Sequence, residues 1–581
     1  MKLSDYVVQF WKDKGVDTVF GYQGSSVSHT IDSISRSSLR FVETRHEQAA
    51  AFAACGYAMA KSAPAVALSC SGPGAINLLN GVADAWYDSL MCFFLTGQVS
   101  TSGIRESGQE IRQLGFQETD IVKIAEPLTK YAVTVFDPLT IRMHLERAWD
   151  EMTTGRPGPV LLDIPHNVQT AQVDPNVLKG YESKKNVARP NDAAMERVIT
   201  LLRNASRPLL LLGGGAHNIR NKEVLKNICT RLQLPVVCSY LGKDVLDHDD
   251  EHFIGVIGAY GSRAGNFSVH YCDLLVSLGS RMDGRQTGDN PEGFAPSAQI
   301  VQVDIDPAEL AAKPERYIKI ESSVESFTEN LEKRLKFSKE HSEWLETVQK
   351  WRYRFAPEAE YPTKEPGVNP NFLLNQIGRS APGAMITLDV GQNQIWANTS
   401  LHLLQDAQLL QSGGLGAMGF ALPAAIGAGC AFPERKLVCI CGDGGFQMNL
   451  QELQTVATQK IPVHIYVLNN RSLGLIRVYQ QKALEGNLEG SVIGFGCPDL
   501  KQLALAYELP YFHIGENDEW DNRQREIAAC KGPCLIEICV SDKSPCYPEP
   551  SYRQSVEKQS PLMSEVLQEQ LKREVYGTQT N

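Results

Sequence analysis

Short apolar runs recur along the chain, and longer stretches of helical character separate them. The runs are PAVALSC (64–70), MCFFLTG (91–97), GPVLLDIP (158–165), PLLLLGGG (208–215), CDLLVSLGS (272–280), QIVQVDID (299–306), AMITLDVG (384–391), KLVCICGDGG (436–445), VHIYVLNN (463–470) and PCLIEICV (533–540). Most are unbroken apolar stretches, as a strand buried on both faces requires, so they predict parallel strands joined by crossover helices. One such helix is predicted over HEQAAAFAACGYAMAK (46–61), which is alanine-rich and free of proline. Two polar stretches, 174–194 and 336–370, interrupt the rhythm and predict linkers. The expected organisation is three doubly wound α/β domains with parallel sheets at 1–173, 190–335 and 370–548. A tail at 549–581 is expected to carry one helix, over 564–577.

The length of 581 residues suits roughly three to four domains. Hydrophobic residues at 43% and charged residues at 21% exclude a disordered chain. Lys and Arg total 56 against 67 Asp and Glu, a net charge of −11, so no basic footprint for nucleic acid exists and an anionic ligand needs local attraction. No apolar run approaches the roughly 20 residues of a membrane span. The start MKLSDYVVQFWKDKG lacks the apolar core of a secretion signal, so a cytoplasmic protein without membrane or nucleic-acid partners is expected. The 14 cysteines contain no pair of CxxC elements; the nearest couples are Cys439 with Cys441 and Cys530 with Cys534. Several lie inside apolar runs, which predicts buried thiols in a reducing compartment and no zinc site.

The strongest chemical signal is Gly442-Asp443-Gly444, directly after the run KLVCIC. Twenty-four residues later a second strand ends in Asn469-Asn470. Ligands of parallel sheets bind at the carboxyl ends of strands, where glycine amides and a helix N-terminus favour a diphosphate. Asp443 and Asn470 offer hard oxygen ligands at two such ends, suiting Mg²⁺ held together with phosphate. This GDG-x24-NN arrangement resembles the cofactor motif of the thiamine diphosphate-dependent decarboxylase and acetolactate synthase superfamily, and NNRSLGLIRVYQQKALEG continues the likeness. The resemblance implies Mg²⁺ ligands Asp443, Asn470 and the Ser472 carbonyl, with Gly442, Gly444, Gly445, Gly474 and Leu475 around the cofactor.

Arg45-His46-Glu47-Gln48 opens the alanine-rich helix. Taken alone, Glu47 could be a solvated first-turn acid favoured by the helix dipole. The segment resembles the family's activating-glutamate motif, which implies that Glu47 hydrogen-bonds the aminopyrimidine ring and promotes loss of the thiazolium C2 proton. A carboxyl held in an apolar site is expected to titrate high, which suits proton sharing. In family order, SGPGAIN supplies Pro73 and Asn77, and QLGFQETDIV supplies an active-site glutamine, Gln117. DVGQNQIWA supplies Gly391, Gln392, Asn393 and Gln394. SGGLGAMGFALPAAIGA supplies Gly416 and the apolar prop Met418. Gly414 to Gly419 also satisfies the G-x-G-x-x-G dinucleotide pattern, but no clean strand is expected before it, so a nicotinamide site is not.

The middle block resembles the synthase branch's FAD segments at Gly213, Gly214, Gly215, Arg281, Asp283, Arg285 and Asp304, although Ala259-Tyr260 stands where the family has Met-His. Other departures concern the acceptor. Tyr479 replaces a tryptophan, His166 a lysine, Gln23 a proline and Asn393 a histidine, so His166 and Tyr479 are the candidate acceptor-pocket residues. The resemblance implies decarboxylation of pyruvate and ligation of its two-carbon unit to a second carbonyl. A second pyruvate, giving 2-acetolactate, is the leading acceptor; a keto-sugar nucleotide is the alternative. It also implies a site shared between the first domain of one subunit and the third of another, hence a homodimer or homotetramer.

Overall fold

The computed structural model describes residues 1–577 apart from 107, 184–187, 339–340, 357–366 and 552–553. Among the described residues eighteen strands pair in parallel as three six-stranded sheets. The first holds β1 (Thr18–Gly21), β2 (Arg40–Glu43), β3 (Ala65–Ser69), β4 (Cys92–Gln98), β5 (Tyr131–Thr134) and β6 (Val160–Pro165), in the order 2-1-3-4-6-5. The second holds β7 (Pro208–Leu212), β8 (Val236–Cys238), β9 (Phe253–Val256), β10 (Leu274–Leu278), β11 (Gln299–Asp304) and β12 (Tyr317–Glu321), in the order 12-11-10-7-8-9. The third holds β13 (Met385–Leu388), β14 (Gln408–Gln411), β15 (Leu437–Gly442), β16 (Val463–Asn469), β17 (Tyr511–Ile514) and β18 (Cys534–Cys539), in the order 14-13-15-16-18-17. The first and third orders are the same. The second, read from its other edge, is the 3-2-1-4-5-6 order of dinucleotide-binding sheets. Each of the ten predicted runs contains a strand.

In each sheet the chain reverses its direction of travel between two neighbouring strands. The crevice at their carboxyl ends is where open α/β sheets bind ligands. The crevices lie between β1 and β3, between β7 and β10, and between β13 and β15. The predicted segments fall there: SGPGAIN follows β3, GGG and LGSRMDG follow β7 and β10, and DVGQNQ and GDG follow β13 and β15.

The first and third sheets share one apolar core, built on the helices Glu47–Lys61 and Ala421–Ala431. Gly56 and Gly427 let these helices cross nearly backbone to backbone: a Cβ at Gly427 would lie 1.9 Å from the Ala53 carbonyl oxygen, and one at Gly56 2.3 Å from that of Ala424. The contact fixes where the first turn of helix Glu47–Lys61 stands relative to the third sheet. A second link is polar. Asp84 accepts from the Ser412 hydroxyl, and Asp88 from the amides of Gly413 (2.9 Å) and Gly414 (2.7 Å).

The stretch expected to be the second linker carries a helix, Ser342–Arg354, which buries Trp344, Leu345, Val348 and Trp351 against the middle sheet. The remainder of that stretch includes residues outside the described set. The tail helix Glu565–Tyr576 packs on the same core, with Glu574 accepting from Trp351 Nε1 at 2.8 Å and pairing with Arg354 at 2.8 Å. Among the described residues no helix is long and apolar enough to cross a membrane.

Candidate active site

Asp443 begins the helix Asp443–Met448 at the end of β15 and is 2% exposed. Its Oδ1 accepts from the Gly444 amide at 2.9 Å, while Oδ2 is buried with no hydrogen-bond partner among the described residues. Burial pushes its pKa up to about 6, against the opposing pull of the Gly444, Arg471 and Ser472 amides. A buried carboxylate oxygen without a donor is costly unless a cation meets it. On the adjacent strand end, Asn470 Oδ1 accepts from the Ser472 amide at 3.2 Å, and Asn470 Nδ2 donates to Gln392 Oε1 at 3.0 Å. Asp443, Asn470, Ser472 and Gln392 thus form one cluster across three strand ends, and Gly474 lies against the Gln392 amide. Gly444 faces Leu473 and Met418, and Gly445 faces Asp389. Leu475 packs on the core beneath.

Asp389 organises the loop that carries Gly416 and Met418. It accepts from the amides of Gly419 (2.9 Å) and Ala421 (3.0 Å), while burial pushes its pKa up to about 6. Asn393 is buried and donates to the Asp389 carbonyl at 2.7 Å. Gln394 donates to Gln411 at 3.2 Å and to the Ser412 carbonyl at 3.0 Å. Contrary to expectation, a clean strand, β14, does precede the G-x-G-x-x-G segment. Its amides are nonetheless engaged: Gly413 and Gly414 with Asp88, Gly416 and Ala417 with Ser412 Oγ, and Gly419 with Asp389. Little is left to cradle a dinucleotide pyrophosphate.

On the first sheet, Glu47 is 8% exposed, and its Oε2 accepts from Asn77 Nδ2 at 3.1 Å. Pro73 occupies the first turn of helix Pro73–Tyr87, where its missing N–H costs nothing. Gln117, in the segment after β4, adopts a left-handed backbone at φ +66° and folds against Gly72, the residue before Pro73. Such a conformation in a non-glycine residue costs energy and clusters at functional sites. A further residue joins the site, Glu452. It is fully buried, and its Oε1 accepts from the Arg45 amide at 2.9 Å, so the third sheet holds the turn that aims Glu47. Burial pushes the Glu452 pKa up to about 7. Its segment, LQELQ, reads as ordinary helix and gives no signal of this role.

The candidate acceptor residues stand apart. His166 starts the helix His166–Thr170 with its ring 4.8 Å from that of His29. Tyr479 is 62% exposed on helix Gly474–Ala483. No hydrogen bond or ring contact among the described residues joins them. Gln23 is exposed on the loop after β1.

Asp163, near the end of β6, braces this side of the site. It accepts from Thr96, Thr134 and Gln98, and Gln98 also donates to the Thr119 carbonyl two residues past Gln117. Burial pushes its pKa up to about 7, above the ordinary 3.8. Between those values the folded chain binds the proton more tightly than the unfolded one. The stability this gives is complete below the lower value and is lost as pH rises through the upper one. Asp163→Asn keeps an acceptor for Gln98 and carries no charge. Its melting temperature relative to the parent is therefore expected to rise by a few degrees between about pH 5 and pH 8 in thermal denaturation, and a constant difference would contradict the assignment.

The three blocks enclose a cavity of about 740 Å³ at the middle crevice. Gly214, Gly215, Arg281, Asp283, Arg285 and Asp304 line it, together with Arg156 and His217, for which the sequence gives no signal. Gly213 lies just behind, so close to the Gly279 carbonyl that a Cβ would approach it to 2.2 Å. His217 Nε2 is 3.1 Å from the buried Asp244 carboxylate. Cationic side chains with strand-end glycines and an acid at the end of β11 form a lining suited to a dinucleotide.

Comparison with known proteins agrees with this layout. Residues 1–124 match the N-terminal TPP binding domain of thiamine pyrophosphate enzymes, 195–331 their central domain and 389–538 their C-terminal TPP binding domain. The acetolactate synthase isozyme 2 large subunit of Escherichia coli is 32% identical over 94% of this chain and 97% of its own length. The acetolactate synthase large subunit of Pyropia yezoensis is 34% identical over 92% and 91%. A probable acetolactate synthase large subunit of Methanocaldococcus jannaschii is 35% identical over 93% and 92%.

Proposed function

Because this chain belongs to the thiamine pyrophosphate enzymes, in the family of the acetolactate synthase large subunits, we propose that it decarboxylates pyruvate and joins the two-carbon unit to a second pyruvate, giving 2-acetolactate and CO₂. The observation that carries the site assignment is the buried, partnerless Asp443 Oδ2 beside Asn470 and Ser472 at the crevice between β13 and β15. Asp443, Asn470 and the Ser472 carbonyl hold Mg²⁺, an oxygen-seeking cation that carries the diphosphate. The loops at Gly391–Gln394 and Gly442–Gly445 would hold that diphosphate, and Met418 would offer the cofactor rings an apolar contact. When bound, thiamine diphosphate supplies the nucleophilic carbon and the electron sink. Glu47 holds a proton against the pyrimidine ring nitrogen, Asn77 fixes the Glu47 carboxyl, and Glu452 fixes the turn before it. Gln117 orients substrate, with His166 and Tyr479 at the acceptor side.

Two chains complete the site in this reading. Large apolar side chains lie exposed near both halves in the chain: Ile76 (49% exposed) and Phe116 (84%) next to Asn77 and Gln117, and Met448 (51%) and Ile476 (51%) in the helices begun by Asp443 and Gly474. Such surface is what a partner covers. FAD occupies the middle cavity as a structural group, since the net reaction transfers no electrons. The purified protein is expected to be yellow, with Arg281→Ala losing colour before fold. A colourless, fully active enzyme would show that the middle cavity holds no FAD.

The acceptor is tested by competition. A phenol at Tyr479 offers less apolar area than an indole, and one methylene in a pocket is worth only about 1–3 kcal/mol. With pyruvate as donor and equimolar pyruvate and 2-ketobutyrate as acceptors, the two products are expected in a ratio near one. A strong excess of acetohydroxybutyrate would contradict the role of Tyr479. Decarboxylation of pyruvate with neither product would replace the proposal by the keto-sugar nucleotide acceptor.

A further inference from the structure

The third sheet brings together three side chains that the proposed reaction does not use. His464 is the second residue of β16, Cys534 is the first of β18, and the parallel register pairs the two directly. Cys530 follows the helix Trp520–Ala529, and Lys531-Gly532-Pro533 turns the chain so that both thiols face the histidine. One imidazole nitrogen and the two sulfurs all lie within 4.8 Å of one another. Among the described residues no other group of His, Cys, Asp and Glu gathers its ligand atoms so closely. The cluster sits at the amino ends of the strands, about 17 Å along β16 from Asn469 at roughly 3.4 Å per residue, and is separate from the cofactor loops.

The hydrogen bonding of His464 prepares it as a ligand. Its Nε2 lies 3.2 Å from the Cys530 carbonyl oxygen. A carbonyl only accepts, so Nε2 carries the hydrogen and Nδ1 keeps the lone pair. Nδ1 is buried with no hydrogen-bond partner among the described residues, and His464 as a whole is 7% exposed. A ligating histidine ordinarily donates its other N–H to a backbone carbonyl in this way. Cys534 is fully buried and Cys530 half-buried, so the cluster opens to solvent on one side.

We propose that His464, Cys530 and Cys534 form a site for a thiophilic divalent cation of the Zn²⁺ type, which ties β16 and β18 to the turn before β18. Two thiolates and an imidazole suit Zn²⁺ and exclude Mg²⁺, and the open side leaves the fourth tetrahedral position to water. With Zn–S near 2.3 Å and Zn–N near 2.0 Å, tetrahedral ligand atoms stand about 3.5–3.8 Å apart, so closure from within 4.8 Å needs the ligand atoms to approach one another by about 1 Å through side-chain rotation. Binding deprotonates both thiols and releases the two protons to solvent. The linear sequence hides the site because its histidine lies far upstream and joins only through strand register.

The test uses the full chain, reduced, chelator-stripped and loaded with thiamine diphosphate and Mg²⁺. Titration with Co²⁺ is expected to give a single thiolate-to-cobalt charge-transfer band per chain, displaced by one equivalent of Zn²⁺. The double variant Cys530→Ser/Cys534→Ser keeps the remaining cysteines as an internal control. It is expected to lose the band and bind Zn²⁺ at least about 100-fold more weakly. Cys530→Ser alone, at the half-buried position, serves if the double variant fails to fold. No band in the parent protein, a band unchanged in Cys530→Ser, or a Cys530–Cys534 disulfide whose reduction yields no metal binding would overturn the proposal.

Discussion

Glu47→Gln is expected to leave thiamine diphosphate affinity nearly unchanged while slowing hydrogen–deuterium exchange at the thiazolium C2 of the bound cofactor by about 10²–10⁴-fold. The substitution preserves volume, and the amide oxygen can still accept from Asn77, which now bonds Glu47 Oε2 at 3.1 Å. The helix Glu47–Lys61 stays anchored by its crossing with Ala421–Ala431 and by the bond from the Arg45 amide to Glu452. What is lost is an acid able to share a proton with a ring nitrogen. Exchange measured by rapid quench and proton NMR separates this from a binding defect. An unchanged exchange rate would remove Glu47 from activation, whatever happened to turnover.

Asp443→Ala is expected to abolish the Mg²⁺-dependent part of cofactor binding. The parent residue presents one carboxylate oxygen to the Gly444 amide and leaves the other buried and unpartnered. Mg²⁺ demands near-ideal octahedral oxygen geometry and tolerates the loss of a ligand poorly. The drop in affinity should exceed the roughly 10–100-fold that follows loss of an outer-shell partner. Calorimetry with and without Mg²⁺ reads it directly. Equal affinities under both conditions in the parent protein would mean that this cluster holds no cation.

Ten of the twelve interior strands were legible because burial on both faces forces continuous apolar runs such as VHIYVLNN. The edge strands were not. In β5 every residue is only half-buried, β12 buries only Tyr317 and Ile320, and β17 fully buries only Ile514. With one side unpaired, such strands need no apolar run and resemble loops or helix ends. The interior strands β1 and β8, though buried, are only four and three residues long, and β1 merges with the helical pattern before it. The same logic applies to the site. GDG and NN could be read because each closes a legible strand with unusual chemistry. Glu47 stood out only by resemblance, and Glu452, Arg156 and His217 gave no signal: the first two act through contacts between blocks distant in sequence, and His217 is set by Leu241 and Asp244, which only folding brings to it.

In the proposed reaction Glu47 and Asp443 serve one cofactor and meet across two chains. Co-expression of Glu47→Gln and Asp443→Ala chains with different affinity tags, followed by purification of the hybrid dimers, separates this arrangement from a site within one chain. Each hybrid then concentrates both defects in one site and leaves the other intact, so a hybrid of two nearly inactive parents is predicted to form acetolactate at about half the parent enzyme's rate. Hybrids no more active than the two variants alone would contradict this arrangement.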